Sequence, residues 1–485
     1  MRMSPEERAD LLHDLQILAT DADSLGHDPS RNEIVETFLP LPQHELAVRP
    51  EIMVVRGGRG TGKTHLFRVL RTVSAARIGT ILREGAGARW IGGFSEDMGH
   101  PQTASLDAFG QQAKPDDLRI LWIVHLVGCL AAHEPRRPMP PMLEREWKTS
   151  LNEPARWTER GHRDLGEALG WLDAFERELD AKRQTVVVLY DHLDRIGLAS
   201  REIRQRYAGA LLALWMSLGN RYRWLRSKIF LREDLFEQAQ ESFPDASKLD
   251  SRSVSLAWDT QALYRMLVRH MARHEGLRGW VARGTRGIAL SQHSILGWLP
   301  PDRLAESGRG SQKSLVDHLI GERMGVGVKK GYTYRWIPNH LQDANVRVVP
   351  RSLLNLVGLA AREALRRGPA AVGDRLLSPL ELQAALEETS KRRVKELREE
   401  HRVVARLENL QGSTLMLERA EAARRLKKVP DGALDDGLGN DGRAVIAELT
   451  RLGVLRERSD GRIDVPDLYR YGYGIKRKGG VRRPR

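Results

Sequence analysis

Residues 51–64 read Glu51-Ile-Met-Val-Val-Arg-Gly57-Gly58-Arg59-Gly60-Thr61-Gly62-Lys63-Thr64, and His65-Leu-Phe-Arg-Val-Leu-Arg-Thr-Val follows directly. A β-branched run, a glycine-rich turn and a helical apolar pattern predict strand, loop and helix in that order. The segment from Gly57 to Thr64 satisfies G-x-x-x-x-G-K-[ST] in full, and it lies in the context that gives the motif physical meaning. Such a loop needs glycine because its backbone N–H groups must turn inward around a phosphate, with φ values and close approaches that a Cβ would block. Gly57, Gly58, Arg59, Gly60, Thr61, Gly62, Lys63, Thr64 and His65 are therefore the expected nucleotide-binding set. Lys63 supplies charge to the β- and γ-phosphates, Thr64 a hydroxyl to Mg²⁺, and the helix its positive end.

A second element must hold the metal. Thr185-Val-Val-Val-Leu-Tyr190 is an apolar strand that ends in Asp191, as a Walker B segment does. Asp191 is the expected metal-side carboxylate. Asp194 is placed to orient or deprotonate an attacking water, with capping of the following helix as the alternative. Ser227-Lys-Ile-Phe-Leu231 is a further core strand. Arg232 after it sits where ligands bind in open α/β sheets, and either senses the γ-phosphate or pairs with Glu233 or Asp234. Arg351, behind Pro350 in the first turn of a helix, opposes the dipole preference, which suggests a phosphate contact or simple exposure. The expected cofactors are ATP and Mg²⁺, held between the loop with Lys63 and Asp191, on neighbouring strands of a parallel sheet.

Composition agrees with a soluble multidomain protein. The chain has 485 residues, 41% hydrophobic and 29% charged, with a net charge of +14; this excludes a small disulfide scaffold and wholesale disorder, and favours polyanionic partners. The one cysteine, Cys129, reads as a buried structural thiol, and no protein-built metal site is expected. His270 and His274 read as a basic helix face. The apolar run Ile120–Ala132 is too short for a bilayer, and the charged N-terminus is unlike a secretory signal, so a cytoplasmic location without membrane contact is expected. Ser247-Lys-Leu-Asp250 imitates a guanine-reading motif outside its strand context, and neither LSGGQ nor G-x-S-x-G occurs.

The expected fold class is α/β, a P-loop NTPase parallel sheet flanked by helices, followed by a helical lid domain and a C-terminal winged-helix-like unit. The expected domains are an N-terminal helical segment over 1–48, the α/β core over 49–257 with an insertion around 76–160, the lid over 258–378, a charged helix plus winged-helix-like unit over 379–475, and a basic tail over 476–485. A helix over 4–20, a long charged helical pattern over 380–428 and a hairpin around Asp460-Gly461 belong to this reading. Arg470, Lys476, Arg477, Lys478, Arg482 and Arg483, interleaved with tyrosines, are the expected nucleic-acid contacts, with a solvated tail as the alternative.

The GGRGTGKT, LYDHLDR, IFLRED and VPRSLLNL segments together resemble the AAA-like P-loop ATPases of the STAND and origin-recognition branch, and DHLDR is similar to the NACHT-type acidic signature. The resemblance implies ATP hydrolysis, with Asp191 and Asp194 on the acidic positions and Arg232 and Arg351 as nucleotide sensors. His192 stands where many relatives carry a catalytic glutamate, which implies slow turnover suited to a switch. The resemblance leaves a homo-oligomeric ring and a closed monomer both open and allows an effector protein subunit as partner, while the basic C-terminus makes nucleic acid a further expected partner. The first reading is a nucleotide switch in a bacterial antiviral defence complex; the alternative is a DNA-binding AAA+ ATPase of replication or transposition type.

Overall fold

Five strands form one sheet: β1 (Val54–Gly57), β2 (Ala88–Phe94), β3 (Thr185–Tyr190), β4 (Leu225–Arg232) and β5 (Ser253–Ser255). Their order is β2-β3-β4-β1-β5 and every neighbouring pair is parallel. The chain, as a computed structural model, describes residues 3–24, 30–97, 99–197, 200–240, 247–284, 288–327, 330–368 and 374–477. It divides into two units, Pro40–Ala257, which holds the sheet, and Met1–Leu39 together with Trp258–Arg485.

In the sheet unit, residues Val186–Tyr190 of β3 are fully buried, as a parallel strand covered on both faces requires. The core joins Val54, Ile91, Val188 and Ile229 of the sheet to Leu121 and Trp122 of the Pro115–Ala132 helix. That helix packs on the Arg201–Arg221 and Pro154–Arg163 helices. No helix among the described residues is long and apolar enough to cross a membrane. The segment expected as an insertion contains the edge strand β2 followed by a layer of helices between Thr103 and Lys182. By sequence pattern alone GAGARWIGGF, residues 85–94, reads as a glycine/arginine-rich patch, because glycine weakens a strand pattern. Here Gly93 serves close packing: a Cβ on it would lie 2.6 Å from Val188 Cγ1 and 2.9 Å from the Leu189 carbonyl.

The strand order corrects one expectation. β4 stands between β1 and β3, so the phosphate loop and Asp191 are not on neighbouring strands. Both strands are parallel and end at the same edge of the sheet, roughly 10 Å apart laterally at the usual strand spacing.

In the other unit the Pro5–Ser24 helix packs along the Pro350–Arg367 helix. Gly358 permits the approach, since a Cβ there would meet the Ala19 nitrogen at 2.5 Å. The charged pattern over 380–428 is several elements, not one. The Pro379–Glu400 helix stops at extended His401, a 3₁₀ segment covers Arg402–Leu410, and a strand, Thr414–Leu415, precedes the Arg419–Leu426 helix. The Gly442–Arg451 helix and the antiparallel pair Arg456–Glu457 with Ile463–Asp464 complete a winged-helix order, with Leu417 bridged to Ile463. Gly461 takes φ +77° in the hairpin turn, a backbone state that favours glycine. Arg406, fully buried, ties the connection between the two helices by bonding Asp436 at 2.6 Å and the Lys427 and Gly439 carbonyls at 2.6 and 2.8 Å.

Candidate nucleotide site

The loop after β1 has the backbone its sequence implies. Gly60 and Gly62 take φ +81° and +94°, in the left-handed region where a side chain is strained. A Cβ on Gly57 would lie 2.6 Å from Thr61 Oγ1. The Thr61 hydroxyl donates to the Gly58 carbonyl at 2.8 Å, closing the turn. Gly62 caps the Lys63–Thr72 helix, whose first turn carries no acid, so nothing there offsets its positive end. Lys63 Nζ donates to the Gly57 and Gly58 carbonyls at 2.8 and 2.9 Å, which holds the ammonium over the loop. Arg59, Thr64 and His65 are half-buried around the same turn.

Asp191 follows the last residue of β3 and is 3% exposed. Its amide donates to the Phe94 carbonyl at 2.9 Å, which fixes it against the end of β2. Its Oδ2 has no hydrogen-bond partner among the described residues, and His192 Nε2 lies 3.7 Å from it. A buried carboxylate oxygen left without a donor is costly unless a cation meets it. This atom and the glycine cradle are the features that an ATP–Mg²⁺ complex would satisfy: the loop amides and Lys63 for phosphate, Thr64 and Asp191 for the ion. His192 takes φ +60°, uncommon for a non-glycine residue and a mark of local constraint.

Asp194 sits in a short 3₁₀ turn, Leu193–Arg195, half-buried. It does not cap the next helix; Ser200 does, accepting from the Ile203 amide at 3.3 Å. The adjacent Arg195 pairs with Glu96 of the segment after β2 at 2.9 Å. No motif marks Glu96, because the strand that precedes it is masked in the sequence by its glycines.

Arg232 stands in register with Gly57, at the mouth of the loop. Its guanidinium is bidentate to Asp234, at 3.0 and 2.9 Å, and it is 6% exposed. The ion-pair alternative therefore describes its observed partner. Arg56 takes the neighbouring acid, Glu233, at 3.1 Å and lies over the Phe236 ring. Arg351 belongs to the other unit, where it pairs with Glu396 at 3.3 Å.

The basic terminus differs from expectation over its described part. Arg470 is 8% exposed and donates to Asp467 at 2.8 Å. Lys476 and Arg477 form a strand parallel to Thr414–Leu415, and Arg477 donates to Asp464 at 2.7 Å. Asp467 lies three residues before Arg470, whereas Asp464 is remote from Arg477, so 469–477 is packed structure, with Lys476 the exposed one among the described expected contacts. Lys478, Arg482 and Arg483 lie outside the described residues. His270, expected on a basic face, is buried, and His274 lies 3.4 Å from Asp14. Ser247-Lys-Leu-Asp250 falls in a short helix, Ser247–Ser251, away from any base-reading strand end.

No family model matches the chain, and no curated protein matches it. Among solved structures it is similar to the Aeropyrum pernix ORC2 protein in ADPNP–ADP complexes, at 13% identity and TM-score 0.31, covering 88% of this chain and 86% of that one. It is also similar to Cdc6p from Pyrobaculum aerophilum, at 11% identity and TM-score 0.31, covering 87% and 83%.

Proposed function

We propose that the chain binds ATP with Mg²⁺ at the carboxyl ends of β1 and β3 and hydrolyses it slowly. The observation that carries this reading is the pairing, at one sheet edge, of a left-handed glycine loop under Lys63 with a buried Asp191 carboxylate whose Oδ2 lacks a donor among the described residues. The bound complex supplies an electrophilic terminal phosphorus and an ion that balances developing charge. The chain's own groups do the rest. Loop amides and Lys63 orient the phosphates, Thr64 and Asp191 hold the ion, and Asp194 orients the water. His192 in place of a carboxylate beside Asp191 leaves proton removal to Asp194 alone, which favours slow turnover. The test is a titration with a fluorescent ATP analogue beside phosphate release, with and without Mg²⁺. Saturable binding with slow release of inorganic phosphate supports the reading; failure to bind removes it.

A second reading extends the first towards a DNA-binding ATPase of replication or transposition type. The observation behind it is the winged-helix order together with Arg424, Lys427, Lys428 and Arg443, all exposed and without an acidic partner among the described residues. Four phosphate contacts would give log K a slope against log[salt] of about −4. A flat salt dependence, or duplex binding unchanged in Arg443→Glu, removes this extension. A role in a defence complex rests on motif resemblance alone and is not carried forward.

A further inference from the structure

Away from the phosphate loop, the sheet unit gathers three groups with metal-ligating atoms. His125 and Cys129 are one helical turn apart on the Pro115–Ala132 helix, and His100 comes from the segment after β2. Their ligand atoms all lie within 4.8 Å of one another. Cys129 Sγ is 3.7 Å from His125 Nδ1 and 3.9 Å from Nε2. Tetrahedral zinc with Zn–S near 2.3 Å and Zn–N near 2.0–2.1 Å puts sulfur and nitrogen roughly 3.5 Å apart. The grouping of all three ligand atoms within 4.8 Å is of the order of that spacing, while the two contacts from sulfur to His125 also lie within reach of a hydrogen bond to sulfur.

The surroundings fit the same ion. Both His125 and Cys129 are buried, and His100 Nδ1 is buried without a hydrogen-bond partner among the described residues. A neutral imidazole presents one donor and one acceptor, and the nitrogens of His125 meet only sulfur among the described residues. Phe94, Trp122 and Trp147 wall the rings, with centroids 5.4–5.9 Å from that of His125. The Cys129 carbonyl is held by His133 Nδ1 at 2.9 Å, which steadies the ligand-bearing turn.

We propose that His100, His125 and Cys129 form a zinc site that clamps the segment after β2 to the Pro115–Ala132 helix. Binding exchanges the Cys129 S–H, which donates to the Gly93 carbonyl at 3.1 Å, for a Zn–S bond, and the thiol proton leaves to solvent. The site carries two neutral rings and one thiolate, with water in the fourth position. Thiolate and imidazole together suit zinc, whereas oxygen-rich sites suit magnesium or calcium. Because β2 ends at Phe94, whose carbonyl holds the Asp191 amide, the clamp braces the same sheet edge that carries Asp191.

The test uses the untagged full chain. Elemental analysis after growth with added zinc is expected to give one zinc per chain. After chelation, Co²⁺ is expected to produce thiolate-to-cobalt charge-transfer absorption. Cys129→Ser is expected to abolish that band and weaken zinc binding at least 100-fold, and zinc is expected to raise the unfolding midpoint of the parent chain only. His100→Ala, on the more accessible side, gives a second variant should Cys129→Ser fail to fold, with the same weakening expected. A folded parent chain with less than a tenth of a zinc per chain and no cobalt band overturns the proposal. Copper in place of zinc, or unchanged zinc affinity in the folded variants, overturns it equally.

Discussion

Lys63 Nζ and the Gly57 carbonyl oxygen are 2.8 Å apart, so the loop's lysine is hydrogen-bonded to the residue that ends β1. The contact ties the cation to the strand end where phosphate charge would accumulate. Lys63→Ala is expected to weaken ATP binding at least 100-fold while the circular dichroism spectrum stays unchanged. A fluorescence titration of the variant decides it, and parental affinity would remove the loop from the site.

Asp191 and Asp194 separate by role. Asp191→Asn is expected to abolish the Mg²⁺-dependent part of nucleotide affinity. Asp194→Asn is expected to keep that affinity and lower phosphate release by roughly 10²-fold or more. Steady-state rates beside titrations with and without Mg²⁺ distinguish the two, and intact turnover in Asp194→Asn would assign the water to another residue.

Arg232 is buried against Asp234. Truncating one partner of a buried pair strands the other, at a cost of about 3 kcal/mol. Arg232→Ala is thus expected to lower the urea midpoint as well as turnover. Slower hydrolysis at an unchanged midpoint would show that Arg232 acts on the nucleotide and that the pair adds nothing to stability.

Lys228, inside β4, donates to the carbonyls of Arg49 and Ile52 and is fully buried. Desolvation lowers it from the ordinary 10.5 to about 7. Between those values the unfolded chain holds a proton that the native chain lacks, so stability rises with pH across this window. Below pH 7 both states are protonated and the burial cost is present in full. Urea unfolding over about pH 7 to 9 should show a gain in the parent chain that Lys228→Met lacks; parallel curves would contradict the shift.

Arg406 and Asp436 form a buried pair beneath the winged helix, with side chains 0% and 3% exposed. Arg406→Leu is expected to destabilise its unit by about 3–5 kcal/mol, and the double variant with Asp436→Leu by less, since no charge is then stranded. Denaturant titrations of the four members of the cycle measure the difference.

The local elements were the legible part. The phosphate loop needs only its own glycines and the adjoining apolar runs, and β3 and β4 announce themselves as β-branched stretches. The Asp460-Gly461 turn likewise states its own backbone. β2 was hidden because Gly92 and Gly93 suppress a strand pattern, although packing against β3 demands a small residue there. Helix ends such as His401 were blurred because charge periodicity continues across a change of direction.

The sequence by itself determined the chemistry at hand: a glycine loop with lysine, an apolar strand ending in aspartate, and basic residues in excess. Those properties reside in neighbours along the chain, where backbone preference and side-chain type act over a few residues. Tertiary structure alone decided that β4 separates β1 from β3, that Arg477 faces Asp464, and that His100 meets His125 and Cys129. Each of these depends on contacts between segments distant in sequence, and their pairing is set by packing, which no local pattern encodes.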